Sequence, residues 1–237
     1  MKRLYTVLLL VLLAGTAQAQ VLITLLLGDK LNSGKIEFGL EGGANFTEFA
    51  GLEDQVKPNF NLGFYFDFKL KNPDWKLHTG VIVKSTMGAK GLPVYSLNQP
   101  ELDDLFEDGE IVRTVNYFNV PVMIKYMVKP KFFVQGGIQL GLRTKGKDIF
   151  YQQINDKDDL TFTRQVQNSY YRLDGGVVGG IGYRLMGGNG MNLGINYYLG
   201  LVDITVDDNT KQYNRSLYLS VGIPIGAGKA KEKQIEK

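Results

Sequence analysis

Residues 59–70, NFNLGFYFDFKL, decide the fold class because apolar and polar residues alternate along them without a break. One face carries Phe60, Leu62, Phe64, Phe66, Phe68 and Leu70, and the other carries Asn59, Asn61, Gly63, Tyr65, Asp67 and Lys69. This period of two residues is that of a β-strand, and no α-helix would separate the two sets. The stretch therefore predicts a strand with one apolar and one polar face.

The same alternation recurs along the chain and predicts eight strands. They cover residues 36–48, 59–70, 75–87, 113–128, 131–143, 170–185, 191–203 and 212–226. Each can supply the roughly nine to eleven residues that a tilted strand needs to cross a bilayer. Short turns and longer loops alternate between the strands, which is typical of a membrane barrel with periplasmic turns and extracellular loops. We therefore predict an all-β fold, an eight-stranded antiparallel up-and-down transmembrane β-barrel over residues 36–226.

The two ends of the chain differ in character from this repeating middle. Residues 1–19 pass from Lys2 and Arg3 through an apolar run to Ala-Gln-Ala, a pattern that predicts a signal peptide cleaved after Ala19. The alternative is an uncleaved anchor, because residues 21–27 are again apolar. We expect residues 20–35 to form an N-terminal periplasmic segment and residues 227–237 a basic tail. Residues 21–35 could be an apolar periplasmic segment, a capping helix or an additional partial strand, and the sequence does not decide between them. This arrangement predicts an exported protein of the Gram-negative outer membrane.

Composition excludes several classes of protein. The chain has no cysteine, so neither disulfides nor thiolate metal sites can stabilise it. Its formal net charge is only +3 and it contains no arginine-rich tract, which argues against nucleic acid as a partner. Lipid is the expected partner instead.

The charges of the polar face indicate which face meets lipid. A charged side chain at the bilayer midplane costs about 2 to 4 kcal/mol, so the uncharged apolar face belongs outside and the charged face in the lumen. A soluble barrel with an apolar interior is the alternative. The predicted luminal polar network comprises Glu37, Glu41, Asp67, Lys69, Lys76, His78, Lys84, Lys125, Arg143, Arg172, Asp174 and Arg184. Glycines between these residues would leave room for long side chains.

Aromatic residues near the strand ends predict the two membrane interfaces, where such side chains gather. Toward the loops lie Phe46, Phe60, Phe118, Tyr171, Tyr197 and Tyr213. Toward the turns lie Phe68, Trp75, Tyr126, Phe132 and Tyr183. We expect these two girdles to contact outer-membrane lipid and lipopolysaccharide.

No pattern in the chain predicts catalysis, a cofactor or a metal centre. We interpret His78 as a member of the luminal network rather than as a catalytic base, and Glu37 and Glu41 as ion-pair partners rather than a glycosidase acid pair. The acidic residues at 101–110 could bind a divalent cation, although such loops are more often simply solvated. The loop at 144–169 could present a contact surface or pack on itself. An eight-stranded barrel is filled by its own side chains, so we do not expect a wide pore.

Three segments resemble the outer-membrane β-barrels of Bacteroidetes that are described as PorT-like. They are GLEGGANF at 39–46, YFNVPVMIKY at 117–126 and LDGGVVGGIGY at 173–183. The resemblance implies a small barrel of about the size of OmpA or OmpX, and for the namesake members a role in type IX secretion and gliding. This chain departs from many such barrels because a Lys-rich tail, rather than an aromatic residue, follows its last strand.

These observations favour a non-enzymatic scaffold that presents extracellular loops in the cell envelope, with a periplasmic or extracellular protein as a further partner. Two alternatives stay open: an accessory component of protein secretion and an envelope lipid-modifying enzyme. The last would require a catalytic constellation, which the sequence does not reveal.

Overall fold

The computed structural model describes residues 34–225, with the exception of residues 53–54, 156–157, 189 and 208–209. The predicted signal peptide, most of the predicted periplasmic segment and the basic tail lie outside the described residues. Nine strands follow one another: β1 (Ile36–Ala50), β2 (Gln55–Lys69), β3 (Trp75–Leu92), β4 (Glu110–Met127), β5 (Phe132–Asn155), β6 (Asp158–Gln165), β7 (Leu173–Arg184), β8 (Asn192–Gly200) and β9 (Tyr213–Pro224).

Between residues 34 and 225, the helical structure that is described lies in the connections between strands. Helix α1 spans Pro100–Leu105 in the long β3–β4 connection, α2 spans Leu185–Gly188 in the β7–β8 turn, and a 3₁₀ turn spans Gln167–Ser169. Among the described residues, no helix has the length and apolar character to cross a membrane.

Eight of the strands close into a ring. Every pairing is antiparallel, and β1 pairs with both β2 and β9, so that the order around the ring is β1, β2, β3, β4, β5, β7, β8, β9. The closed ring confirms the predicted eight-stranded antiparallel barrel. Each predicted strand is present, and the short turns β2–β3, β4–β5 and β7–β8 lie at one end, which we call the turn end. The opposite end is the loop end.

The structure corrects the predicted loop at residues 144–169. Strand β5 continues to Asn155, far beyond the predicted end, and β6 pairs with its last part from Lys147 onward. Strands β3 and β4 also run past their predicted bounds and pair there, for example Leu92 with Ile111. A sheet of β3 to β6 therefore stands beyond the ring at the loop end. Phe150 and Phe162 of this sheet pack with Phe106 from the β3–β4 connection, with ring centroids 5.8 to 6.5 Å apart.

The two faces of the ring have opposite character. Inward side chains are buried and polar, such as Asn119, which is 1% exposed, and Gln139. Outward side chains are apolar and exposed, such as Ile181, of which 60% is exposed, and Leu140. A soluble barrel would have the reverse arrangement, whereas an apolar band around a polar lumen suits a membrane.

A bulge in β3 moves one predicted luminal residue to the outside. Ile82 pairs with Gly63 on the inward side, but the register then shifts and Lys84 pairs with the outward Leu62. The Lys84 ammonium consequently lies 5.8 Å from the Phe60 ring on the outer face. The prediction that Lys84 is luminal is therefore wrong. It assumed that inward and outward residues alternate without interruption, and the bulge reverses that alternation.

Candidate functional site

The turn half of the lumen is built around one buried carboxylate, that of Asp67, which is 1% exposed. His78 Nδ1 lies 2.6 Å from Asp67 Oδ1, and Lys125 Nζ donates to both carboxylate oxygens at 3.1 and 2.9 Å. Lys76 Nζ approaches within 3.9 Å. The pairing register brings these groups together, because Asp67 faces His78 across β2 and β3 while Lys76 faces Lys125 across β3 and β4.

A second carboxylate ties the opposite wall to this centre. Glu37 on β1 accepts hydrogen bonds from the Tyr65 hydroxyl at 3.1 Å and from the Arg184 guanidinium of β7. Asn192 of β8 donates to the same tyrosine oxygen at 3.2 Å. Glu41 Oε2 lies 3.8 Å from His78 Nε2. The resulting cluster, which we call the inner network, consists of Glu37, Glu41, Tyr65, Asp67, Lys76, His78, Lys125, Arg184 and Asn192.

The inner network is balanced in charge and tightly filled. Its three carboxylates match three fixed cations, which is the condition for keeping ionised groups in a buried site. The cavity among Glu41, His78 and Lys125 measures only about 10 Å³. Such a space holds about one water molecule. It leaves no room for a substrate.

His78 has carboxylates near both ring nitrogens, Asp67 at Nδ1 and Glu41 at Nε2. Nucleophilic catalysis would require a hydroxyl or thiol within reach of one nitrogen. Among the described residues, the hydrogen-bond and ion-pair partners of the imidazole nitrogens are Asp67, Lys125 and Glu41, and none of these is a hydroxyl or a thiol. The geometry around His78 is that of an ion-pair partner held between two carboxylates.

The loop half of the lumen is filled mainly by neutral polar side chains. Asp174 accepts hydrogen bonds from Asn214 Nδ2 and from the Gly175 backbone, both at 2.8 Å. Gln139 of β5 donates to the Tyr218 hydroxyl of β9 at 3.3 Å, a contact between strands that are not neighbours in the ring. Bonds of this kind cross the lumen and close it along its length.

The twelve predicted luminal residues therefore occupy several places. The inner network contains Glu37, Glu41, Asp67, Lys76, His78, Lys125 and Arg184, and Asp174 lies apart from it. Lys69 is exposed at the turn end, Arg143 is half-buried and Arg172 exposed at the loop end, and Lys84 is outside. Tyr65 and Asn192 were missed, although strict alternation already placed Tyr65 on the same face as Asp67.

The eleven predicted girdle aromatics all lie on the outer face, and none of them is buried. At the turn end they form cross-strand pairs, Trp75 with Tyr126 and Phe132 with Tyr183, both with centroids 4.8 Å apart. Their contact with the two membrane interfaces stays a prediction.

A pocket of about 350 Å³ opens at the loop end, and we call it the outer pocket. The sequence did not predict it. Its lining comes from four separate connections and the strand ends beside them: Leu52, Tyr95, Arg113, Arg164, Gln165, Val166, Ser169, Tyr170, Thr205, Asp207, Thr210 and Gln212. Its volume lies within the range of small-molecule sites, which starts at about 300 Å³.

A buried ion pair holds the base of the outer pocket rigid. Arg113 binds Asp148 through two parallel hydrogen bonds of 2.7 and 2.6 Å, and the Tyr95 hydroxyl donates to the same carboxylate at 2.9 Å. Burial acts to lower the pKa of Arg113, but the bond to Asp148 raises it overall. Burial, with Asp148 close by, raises the pKa of Tyr95 to about 12. Both side chains therefore keep their protons, and so their bonds to Asp148, at neutral pH.

Asp203 shapes the β8–β9 wall of the outer pocket. Its Oδ1 accepts hydrogen bonds from the backbone and hydroxyl of Thr205 and from the Gln212 backbone, at 3.1, 2.8 and 3.1 Å. Burial acts to raise the pKa of Asp203, but these bonds lower it overall. Thr205 and Gln212 are thereby fixed facing the pocket.

Arg164 lines the outer pocket without an ionic partner among the described residues. Its guanidinium lies 5.3 Å from the centroid of the Tyr95 ring. Among the described residues it has no salt bridge, whereas Arg113 is matched by Asp148. A planar guanidinium on an aromatic face still offers its edge donors to a ligand.

The acidic β3–β4 connection is organised by its own chain. Asp103 of α1 accepts hydrogen bonds from the Ser96 hydroxyl at 2.7 Å and the Leu97 backbone at 2.6 Å. Those bonds lower the pKa of Asp103. Within the described part of the chain, no three acidic, histidine or cysteine side chains are grouped as a metal site would need.

A closed antiparallel barrel with an apolar outside and a polar, charge-balanced lumen defines an outer-membrane β-barrel protein. Residues 17–206 match the family model described as outer membrane protein beta-barrel domain, and the chain belongs to that family. Comparison with curated proteins gives no match.

Several solved outer-membrane proteins are similar to this chain at low sequence identity. Ail of Yersinia pestis is 12% identical, with a TM-score of 0.45 over 80% of this chain and 99% of its own. Neisserial surface protein A is 12% identical, with a TM-score of 0.40 over 80% and 96%. OprG of Pseudomonas aeruginosa is 12% identical, with a TM-score of 0.34 over 82% and 96%.

Proposed function

We propose that this outer-membrane barrel is a non-enzymatic recognition protein, a closed scaffold whose outer pocket binds a ligand outside the cell. The observation that carries the proposal is the contrast between the two ends. The inner network fills the turn half of the lumen and neutral polar side chains fill the loop half, whereas the loop end holds a pocket that four connections build together. Loops on a rigid scaffold are the common location of binding sites.

The fold supports this role because the pocket has a firm base. Strands β3 to β6 extend the barrel wall beyond the ring, and Arg113, Asp148 and Tyr95 lock them together. A site held by buried hydrogen bonds loses little conformational entropy when a ligand binds.

We further propose that the protein is exported with cleavage after Ala19 and contacts lipopolysaccharide through its outer face. Lys84 supports the second point, since its ammonium lies over Phe60 on the apolar outer face, where a lipid phosphate could pair with it. The intact mass of the purified outer-membrane protein tests the cleavage.

The binding role is tested with the full chain in bilayer nanodiscs on an array of host and bacterial glycans. We expect binding to a subset of glycans and its loss in Ser169→Trp, which places a large ring at the exposed pocket wall. Thr163→Trp is the matched control, because Thr163 is exposed on β6 but does not line the pocket. Equal binding by wild type, Ser169→Trp and empty nanodiscs would contradict the proposal.

A further inference from the structure

The outer pocket carries chemistry that narrows its ligand beyond a general recognition role. Its lining contains aromatic faces from Tyr95 and Tyr170, the guanidinium of Arg164, and many hydrogen-bonding side chains. Thr205 and Gln212 already have partners within the protein, but an apolar ligand would keep water from the remaining polar groups, such as the Arg164 guanidinium, which costs free energy. The ligand must therefore be polar.

Arg164 points to a negative charge on that ligand. Its guanidinium is half-buried and stacked on Tyr95. Asp148 is its cross-strand neighbour, but Arg113 and Tyr95 take up the oxygens of that carboxylate, and no carboxylate of the described residues forms a salt bridge with Arg164. A ligand carboxylate can accept two parallel hydrogen bonds from such a guanidinium. Charge-assisted hydrogen bonds of this type are about twice as strong as neutral ones.

Asp207 argues against a plain inorganic anion. Its carboxylate lines the same pocket and would repel a compact dianion such as sulfate or phosphate. A carboxylate and amide oxygens are, in contrast, good acceptors for hydroxyl donors. Gln165 and Gln212 supply amide groups, and Thr205 and Thr210 supply hydroxyls.

We propose, building on the recognition role above, that the outer pocket binds a sugar bearing one carboxylate, a uronic acid unit of an extracellular glycan. The carboxylate pairs with Arg164, the ring hydroxyls bond to the Asp207, Gln165 and Gln212 side chains, and the apolar face of the ring packs on tyrosine. The pocket of about 350 Å³ is at the small end of ligand sites and suits one or two sugar rings.

The test compares methyl α-D-glucuronide with methyl α-D-glucoside, which differ at a single carboxylate, by calorimetry on the full chain in nanodiscs. We expect the uronide to bind at least tenfold more tightly, and the difference to disappear in Arg164→Gln. Arg172→Gln is the matched control, since Arg172 is an exposed loop-end arginine outside the pocket lining and its loss should leave the difference intact. Added NaCl should weaken the uronide more than the glucoside.

Three results would overturn the assignment: equal affinity for both sugars, an unchanged preference in Arg164→Gln, or displacement of the uronide by equimolar sulfate. If the uronide does not bind but Ser169→Trp still abolishes binding on the glycan array, the uronic acid proposal is wrong and the recognition role stands. No effect of Ser169→Trp on the array would overturn the recognition role itself. Retained heat-dependent electrophoretic mobility shows that each variant is folded.

Discussion

Asp67 is the residue on which the interior depends most. It is the common partner of His78, Lys125 and Lys76, and it is almost completely buried. Buried cations that lose their counter-charge are strongly destabilising, whereas an intact pair contributes little net free energy. Removing this single carboxylate therefore has a far larger effect than its own hydrogen bonds would suggest.

The first prediction is that Asp67→Asn destabilises the barrel by about 3 to 5 kcal/mol, because two lysines and a histidine would face a neutral amide. Urea unfolding in detergent micelles, followed by tryptophan fluorescence and electrophoretic mobility, measures the change. Asp74→Asn, in the exposed β2–β3 turn, is the control and should change little. An unfolding midpoint for Asp67→Asn equal to that of the wild type would show that the inner network does not stabilise the fold.

A glycine on β7 permits the close packing of an inward aromatic ring. A Cβ at Gly182 would lie 2.1 Å from Cζ of Phe133, whereas a Cβ at Gly179, on the outward side, would be 3.5 Å from its nearest neighbour. The Phe133 ring also receives the Lys125 ammonium at 4.7 Å. Adding a methyl group at Gly182 therefore disturbs the inner network as well.

The second prediction follows from that difference. Gly182→Ala should destabilise the barrel by about 1 to 3 kcal/mol through overpacking. Gly179→Ala should be neutral or slightly stabilising, because alanine lowers the conformational entropy of the unfolded chain. The same unfolding measurement compares the two variants. Similar losses at both positions would mean that glycine is needed for assembly of the strand rather than for room beside Phe133.

At the scale of elements, alternation was sufficient to predict the eight strands of the ring but not their extensions. The ring strands separate an apolar from a polar face, and that contrast is visible in the sequence. The β5–β6 hairpin buries only a few aromatics, such as Phe150 and Phe162, among charged residues, so its alternation is weak. Lys84 was misplaced for a related reason, since nothing in the local sequence marks the bulge in β3.

The sequence was sufficient to predict which residues belong to the luminal site but not which of them contact one another. The alternation of inward and outward residues alone placed Glu37, Asp67 and Arg184 on the inward face. Which of them meet depends on register and on contacts across the ring, as between Glu37 on β1 and Arg184 on β7. The outer pocket could not be predicted, because residues far apart in the chain, such as Leu52 and Gln212, line it together.

The third prediction concerns the β5–β6 hairpin as a separable element. Gly146 and Val166 are joined by a backbone hydrogen bond of 2.9 Å at its base. Replacing residues 147–165 with Asn-Gly, a favoured two-residue hairpin turn, should therefore leave the ring closed while removing Asp148 and Arg164. We expect heat-dependent mobility to be retained and array binding to be lost. Loss of the folded electrophoretic form would show that the extended sheet is part of the barrel's folding core.

At the scale of the whole molecule, the proposed ligand pocket lies at the loop end, and the lumen below it is closed. Side chains from opposite walls meet across the axis, as Gln139 with Tyr218 and Arg184 with Glu37, and the space left in the inner network is about the size of one water molecule. An eight-stranded ring is only wide enough to be filled in this way. Ligand binding at the loop end should therefore not lead to passage through the barrel.

The fourth prediction is that the purified full chain gives no stable conductance steps in planar lipid bilayers. The physical reason is that ions would have to displace paired, buried charges, since every cation of the inner network contacts a carboxylate within 4 Å. The double variant Gln139→Ala and Tyr218→Ala, which shortens two side chains in the loop half, should still not conduct, because the inner network remains below it. Adding His78→Ala and Tyr65→Ala opens both halves and should give brief conducting events. Stable conductance steps in the wild type would contradict the proposal of a closed scaffold and favour a channel.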